Sequence, residues 1–222
     1  MRQAYRVTQN QGDNAYAESV TSSSSRAREL ERVLESTKPA MPYKDWDILI
    51  ATPFRYPLPI ASEFSARFRP AGTMRNVLYC SQEMETALYE FAYHFLRQRT
   101  HLKDLDAGKD MGQRTAFCLS IKSGKIKDLS KHRECRKIMS RTDYAPSHAY
   151  ILRNSGIKVL RYPSCRDPKA RSNYAVFDIR SLGRSVSEPT YLHFIYRTNT
   201  QEVRFWSAGF SVDMTVSRSN FE

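Results

Sequence analysis

Residues 66–90, ARFRPAGTMRNVLYCSQEMETALYE, decide how this chain is read, because an arginine pair, a turn, a short strand and the start of a helix follow one another directly. Arg67 and Arg69 alternate with Phe68, so in an extended segment both guanidinium groups leave one side and the ring the other. Pro70-Ala71-Gly72 breaks that segment as a turn, and Val77, Leu78 and Tyr79 read as a short buried strand. Ser81 is placed to cap a helix whose apolar face carries Ala87, Leu88, Phe91 and Phe95 and which runs to about Gln98. Glu90 falls beside that face, where an unpaired carboxylate is costly and needs a partner or a task. Two readings stand on spacing alone. One is a structural Arg–Glu pair in an ordinary strand and helix; the other is a site for a phosphate-bearing, cationic substrate.

Outward from this unit, the N-terminal 25 residues are polar and end in Thr21-Ser22-Ser23-Ser24-Ser25, a composition that predicts a disordered tail. Ser25 caps a short helix with Ala27, Leu30, Val33 and Leu34 on one stripe, ended by Lys38-Pro39-Ala40-Met41-Pro42. The expected organisation is therefore a tail over 1–25, a helical extension over 26–45 and one main domain over 46–222. Pro53 to Pro59 reads as an extended segment bracketed by prolines. Further on, Thr115–Ile121 predicts a strand and Tyr144–Ser155 a helix enclosing Ala149, Ile151 and Leu152 and closed by Gly156. Ile157–Tyr162 and Tyr174–Ile179 read as strands, Tyr191–Arg197 with Glu202–Trp206 as a hairpin, and Phe210–Val216 as a last strand. The sum is an α+β fold, strand-rich toward the C-terminus.

Composition narrows the function. Lys and Arg total 35 against 23 acids, for a net charge of +12. Residues 1–50 sum to zero, whereas Ile121–Arg141 carries eight basic side chains against Asp128 and Glu134. No aromatic residue interrupts that basic stretch, which argues against a base-stacking platform; a solvated face or an acidic partner explains it better. No run approaches the roughly 20 apolar residues that span a bilayer, and no signal-peptide core follows Met1, so a cytoplasmic protein is expected. Cys80, Cys118, Cys135 and Cys165 are far apart and read as reduced thiols, with no metal site expected from them or from the five histidines. His94 reads as a packed or rim histidine. Gly-rich phosphate loops are absent, and Ser164 lies in Pro-Ser-Cys, not in a G-x-S-x-G elbow.

Six separated pieces, in order, resemble the RES domain family, named for its Arg, Glu and Ser. They are Pro53-Phe54-Arg55-Tyr56, Ala66-Arg67-Phe68-Arg69-Pro70-Ala71-Gly72, Val77-Leu78-Tyr79, Glu85-Thr86-Ala87-Leu88-Tyr89-Glu90, Gly156-Ile157 through Tyr162 to Pro168, and Asn173 with Phe177. The resemblance implies an ADP-ribosyltransferase-like fold, a split, twisted β-sheet core with flanking helices around a cleft for NAD⁺. It also implies destruction of NAD⁺ by phosphorolysis or hydrolysis, as the toxin of a toxin–antitoxin pair. By position, the family's Arg falls on Arg67, its Tyr on Tyr79, its Glu on Glu90 and its Ser on Ser164, as catalytic residues. Arg55, Tyr56, Arg69, Arg166 and Asn173 are the implied substrate-binding residues. Two extra residues between Arg67 and Tyr79 leave open which of Arg67 and Arg69 meets the pyrophosphate.

On this resemblance, NAD⁺ is a substrate and not a prosthetic group, inorganic phosphate is a possible co-substrate, and the expected protein partner is an antitoxin. Such an antitoxin plugs the cleft with an acidic segment and carries a helix-turn-helix portion, so nucleic acid enters only through it. Two other functions remain open at this point. One is an ADP-ribosyltransferase acting on protein or nucleic acid, although the position two before Glu90 is Leu88 where such enzymes carry a second acid. The other is a non-catalytic module that binds nucleic acid through Lys122–Arg141.

Overall fold

The computed structural model describes residues 1–8, 21, 23–56, 59–99, 109–122, 124 and 126–221. Within them, ten strands form one sheet: β1 (Arg2–Thr8), β2 (Leu78–Ser81), β3 (Lys109–Ile121), β4 (Ile126–Asp128), β5 (Val159–Pro163), β6 (Ser172–Val176), β7 (Leu182–Val186), β8 (Thr190–Arg197), β9 (Glu202–Ser207) and β10 (Val212–Ser217). They lie in the order β10, β9, β8, β3, β1, β2, β6, β5, β4, with β7 on the far end of β3. Every pairing is antiparallel except β4 with β5. Helices α1 (Ser24–Ser36), α2 (Ile48–Ala51), α3 (Met84–Arg99), α4 (Cys135–Ile138) and α5 (Ala145–Arg153) flank the sheet, and the fold is α+β.

Alternation along the strands sends side chains into separate cores. Leu78, Cys80, Tyr174 and Val176 pack with Leu49, Ile50 and Phe54 of the α2 region, whereas Leu160, Tyr162 and Ala175 face Ile138, Tyr150 and Ile151 of α4 and α5. Strands β5 and β6 are thus buried on both faces, which is why they read as nearly continuous apolar runs. A third core lies under α3, where Leu88, Ala92 and Phe95 meet Leu192, Phe194 and Phe205. The helical spacing of these residues requires one apolar face against the sheet.

The sheet is open at one place. β1 and β3 pair over seven residues, but β1 meets β2 at a single pair, Tyr5 with Ser81, and beyond it the strands part. The gap exposes residues on both strands to a common cleft.

Several expectations are corrected. Residues 2–8 are not a tail: they are β1, between β2 and β3, with Ala4 fully buried. Residues 9–20 and 22 lie outside the described residues. Helix α1 is capped by Ser23, whose Oγ accepts from the Arg26 N–H, not by Ser25. It is tied to the body by the Glu35–Arg55 ion pair. Pro53 sits in a 3₁₀ turn over Thr52–Phe54 that continues α2, instead of an extended segment. Ser81 ends β2 and caps nothing, since α3 starts at Met84. Helix α5 stops at Arg153 with Asn154 as its C-cap, so Gly156 does not close it, and Leu152 is exposed.

The arginine pair is also rearranged. Ala66 and Arg69 bond each other's backbones in both directions, so Arg67 and Phe68 are the two central residues of a tight turn, and Phe68 has a φ of 61°. A left-handed aromatic residue is strained. It is held because its ring is fully buried, 5.0 Å from that of Tyr162. With the backbone reversed at this point, Arg67 and Arg69 no longer share a side.

Candidate active site

The parting of β1 and β2, one face of α3 and the 164–171 turn enclose a cleft of about 660 Å³. Tyr5, Arg6 and Val7 line it from β1, Tyr79, Cys80 and Ser81 from β2, and Glu90, His94 and Arg97 from α3. Arg67, Tyr144, Tyr162, Arg166 and Asn173 complete the wall. Among the described residues, four arginines and one carboxylate, that of Glu90, therefore line this cleft.

Glu90 is oriented from two distant segments. Asn173 Nδ2 donates to its Oε1 at 2.6 Å, and Ser164 Oγ donates to the same oxygen at 2.7 Å. Each donor is itself fixed. Ser81 Oγ donates to Asn173 Oδ1 at 2.7 Å, and Ser164 Oγ accepts from the backbone amides of Arg166 and Asp167 at 3.1 and 3.0 Å. Both bonds load one oxygen, so Oε2 has no hydrogen bond among the described residues. A carboxylate held this way is preorganised: no reorientation is needed when positive charge develops beside it.

The turn that carries Ser164 is clamped onto α3. Asp167, buried, accepts from Thr86 Oγ1 at 2.7 Å, from the Lys169 amide at 2.9 Å and from Arg171 Nε at 2.5 Å. Arg171 also reaches Glu85 at 2.5 Å and Glu83 at 3.2 Å at the start of the same helix. Burial alone pushes the Asp167 carboxyl up, but the bonds from Arg171, Thr86 and the Lys169 amide together hold it below the ordinary value.

Of the two candidate arginines, Arg67 lines the cleft. Its guanidinium donates to the carbonyls of Ile138 and Ser140 and lies 4.7 Å from the centre of the Tyr144 ring. Arg69 turns away, donating to the Phe64 carbonyl at 3.4 Å. Tyr79 lines the cleft and donates its hydroxyl to the Arg67 carbonyl; burial pushes its phenol well above the ordinary value. Arg166 and Asn173 are also at the cleft. Arg55 and Tyr56 are not. Arg55 is consumed by Glu35 and the Pro39 carbonyl, as an anchor for α1, and Tyr56 is solvent-exposed with its carbonyl bonded to Asn76.

Sequence reading missed Arg6. Its Nη1 donates to the Tyr79 carbonyl at 2.7 Å across the parting of β1 and β2, and no carboxylate pairs with it among the described residues. Burial lowers its pKa. The available signal was the short run Ala4-Tyr5-Arg6-Val7-Thr8, which suits a strand by residue type. Tyr144 and Tyr162 were missed as lining residues as well. His94 stands on the rim one helical turn after Glu90; desolvation lowers its pKa, Glu90 acts to raise it, and Arg166 and Arg97 act to lower it. The cleft thiols are unsuited to nucleophilic work, because burial pushes Cys80 up to about 12 and also raises Cys165.

What these features define is an α+β domain with an arginine-lined cleft built around one oriented carboxylate. The chain belongs to the RES domain family, whose model matches residues 32–197, about three quarters of the sequence. No curated protein matches the sequence. Among the described residues no helix is long and apolar enough to cross a membrane.

Proposed function

We propose that this protein is an NAD⁺-degrading enzyme that breaks the nicotinamide–ribose bond, with inorganic phosphate or water as the acceptor, and acts as the toxin of a toxin–antitoxin pair. The observation that carries the reading is the pinned Glu90 carboxylate among four cleft arginines. Family membership supports an NAD⁺-processing role for this same cleft.

The chemistry asks little of acids and bases. The C1″–N bond breaks with its electron pair going to nicotinamide, which departs neutral, and the positive charge passes to the ribose as an oxocarbenium ion. Glu90 stabilises that charge, an effect of a few kcal/mol for a preorganised group in a water-poor site. Arg6 and Arg67 hold the pyrophosphate, and the Tyr79, Tyr144 and Tyr162 rings supply faces for the bases. The acceptor oxygen then bonds to C1″. With phosphate the product is ADP-ribose 1″-phosphate; with water a proton is lost to solvent and the product is ADP-ribose. Arg166 is the group that receives the incoming phosphate.

Leu88, two residues before Glu90, is fully buried, so no side chain from that position reaches an acceptor macromolecule. This favours a small-molecule acceptor over transfer to protein or nucleic acid. The excess of cleft cations fits an inhibitory partner that inserts an acidic segment.

The test is purified protein incubated with NAD⁺, with and without phosphate, and product analysis by mass spectrometry. Nicotinamide should appear, and Glu90→Gln should slow its release about a hundredfold or more. Undiminished release by that variant would overturn the assignment of Glu90, and no release by the wild type would overturn the reaction.

A further inference from the structure

Arg166 is the most buried of the cleft arginines. It is 7% exposed, its guanidinium carbon lies 3.5 Å from the centre of the Tyr93 ring, and Nη2 donates to the Arg141 carbonyl at 3.0 Å. No carboxylate pairs with it among the described residues. Its charge is thus directed by an aromatic face and a carbonyl and stays available to an anion.

Tyr93 is braced in turn. The 3₁₀ turn Arg218–Phe221 packs on α3, with the Phe221 ring edge-to-face with Tyr93 at 5.4 Å and with Tyr89 at 6.5 Å. A continuous path of rings therefore runs from the C-terminal turn through Tyr93 to Arg166 and into the cleft. Phe221 lies beyond the residues matched by the family model.

We infer that Tyr93 and Phe221 are positioning residues for an inorganic-phosphate subsite at Arg166, with the C-terminal turn acting as its outer support. A cation placed over a ring face gains electrostatic attraction and loses side-chain freedom. A guanidinium fixed in advance loses less entropy when an anion binds. Removing the ring frees the arginine without removing its charge, so the effect belongs to phosphate affinity and not to the cleavage step.

The inference rests on the proposed reaction only for its kinetic readout; calorimetric titration of the protein with inorganic phosphate alone tests it independently. Tyr93→Leu should weaken phosphate binding by about three- to tenfold, the scale of one such contact, Phe221→Leu should weaken it by less, and Tyr93→Phe should restore it. In turnover, Tyr93→Leu should raise the KM for phosphate and leave kcat at saturating phosphate unchanged. On an Arg166→Ala background, Tyr93→Leu should have no further effect. Equal losses in Tyr93→Phe and Tyr93→Leu, additive losses with Arg166→Ala, or no phosphate binding by the wild type would each overturn the inference. Should Tyr93→Leu fail to fold, Phe221→Leu and Tyr93→Phe decide the matter. If phosphate binds as expected but no nicotinamide is released, the reaction is wrong and the subsite stands.

Discussion

Glu90 is a helical residue whose orientation is set by side chains 83 and 74 positions away, those of Asn173 and Ser164. Helical spacing placed it beside the apolar face of α3, and the demand that such a carboxylate have partners followed from its burial. Which partners was invisible locally. The two donors differ in what they leave behind. Asn173→Ala removes one bond to a charged oxygen, worth about 1.5–3 kcal/mol by general experience, and also strands Ser81 Oγ. We expect nicotinamide release per folded molecule to fall about ten- to a hundredfold, together with a lower unfolding temperature; a loss confined to stability, with activity per folded molecule intact, contradicts the orienting role. The arginine question belongs to this scale as well. Alternation assigns Arg67 and Arg69 to one side, but Phe68 adopts a left-handed backbone, and only Arg67 lines the cleft. No propensity rule predicts a buried phenylalanine at positive φ; its ring contact with Tyr162 does.

The elements that matter are the 164–171 turn and β1. The turn holds Ser164 at Glu90 because Asp167, Thr86 and Arg171 fasten it to the first turn of α3. Since the folded-state pKa of Asp167 lies below its ordinary value, 3.8, the clamp stabilises the fold at any pH above that value. That contribution is lost as pH falls through the folded-state pKa. Asp167→Asn should therefore cost about 1.5–3 kcal/mol at pH 7. The gap from wild type in denaturant unfolding should narrow below about pH 4; a gap that is constant with pH would show that ionisation of Asp167 is not involved. β1 teaches a different lesson. Its composition reads as part of a polar tail, yet it pairs with β3 along its whole length and carries Arg6 into the cleft. The energy that orders it comes from partners more than 70 residues away, so a window of neighbouring residues holds little sign of it.

At the scale of the molecule, the family match covers 32–197, but the sheet does not stop there. β1 precedes that range and β9 and β10 follow it, and Val203, Phe205 and Val216 belong to the core under α3. A truncated chain of residues 32–197 should accordingly fail to fold: it leaves β2 and β3 without the strand between them, leaves the edge of β8 unpaired and removes Val203, Phe205 and Val216 from the core under α3. Loss of a cooperative thermal transition in that truncation, against its presence in residues 1–221, is the expected result; a stable, NAD⁺-cleaving truncation would contradict it. The sequence by itself determined the α+β class, the apolar face of α3 and the position of Glu90 beside it, because these rest on local periodicity; the segment around Ser164 was marked only by its resemblance to the family. The tertiary structure decided that residues 2–8 are a central strand, that Arg6 and Arg67 line the cleft while Arg55, Tyr56 and Arg69 do not, and that Ser164 and Asn173 share one oxygen of Glu90. Those outcomes depend on strand pairing and on turns whose strain is held by distant packing, and such terms act only once the chain has brought its far segments together.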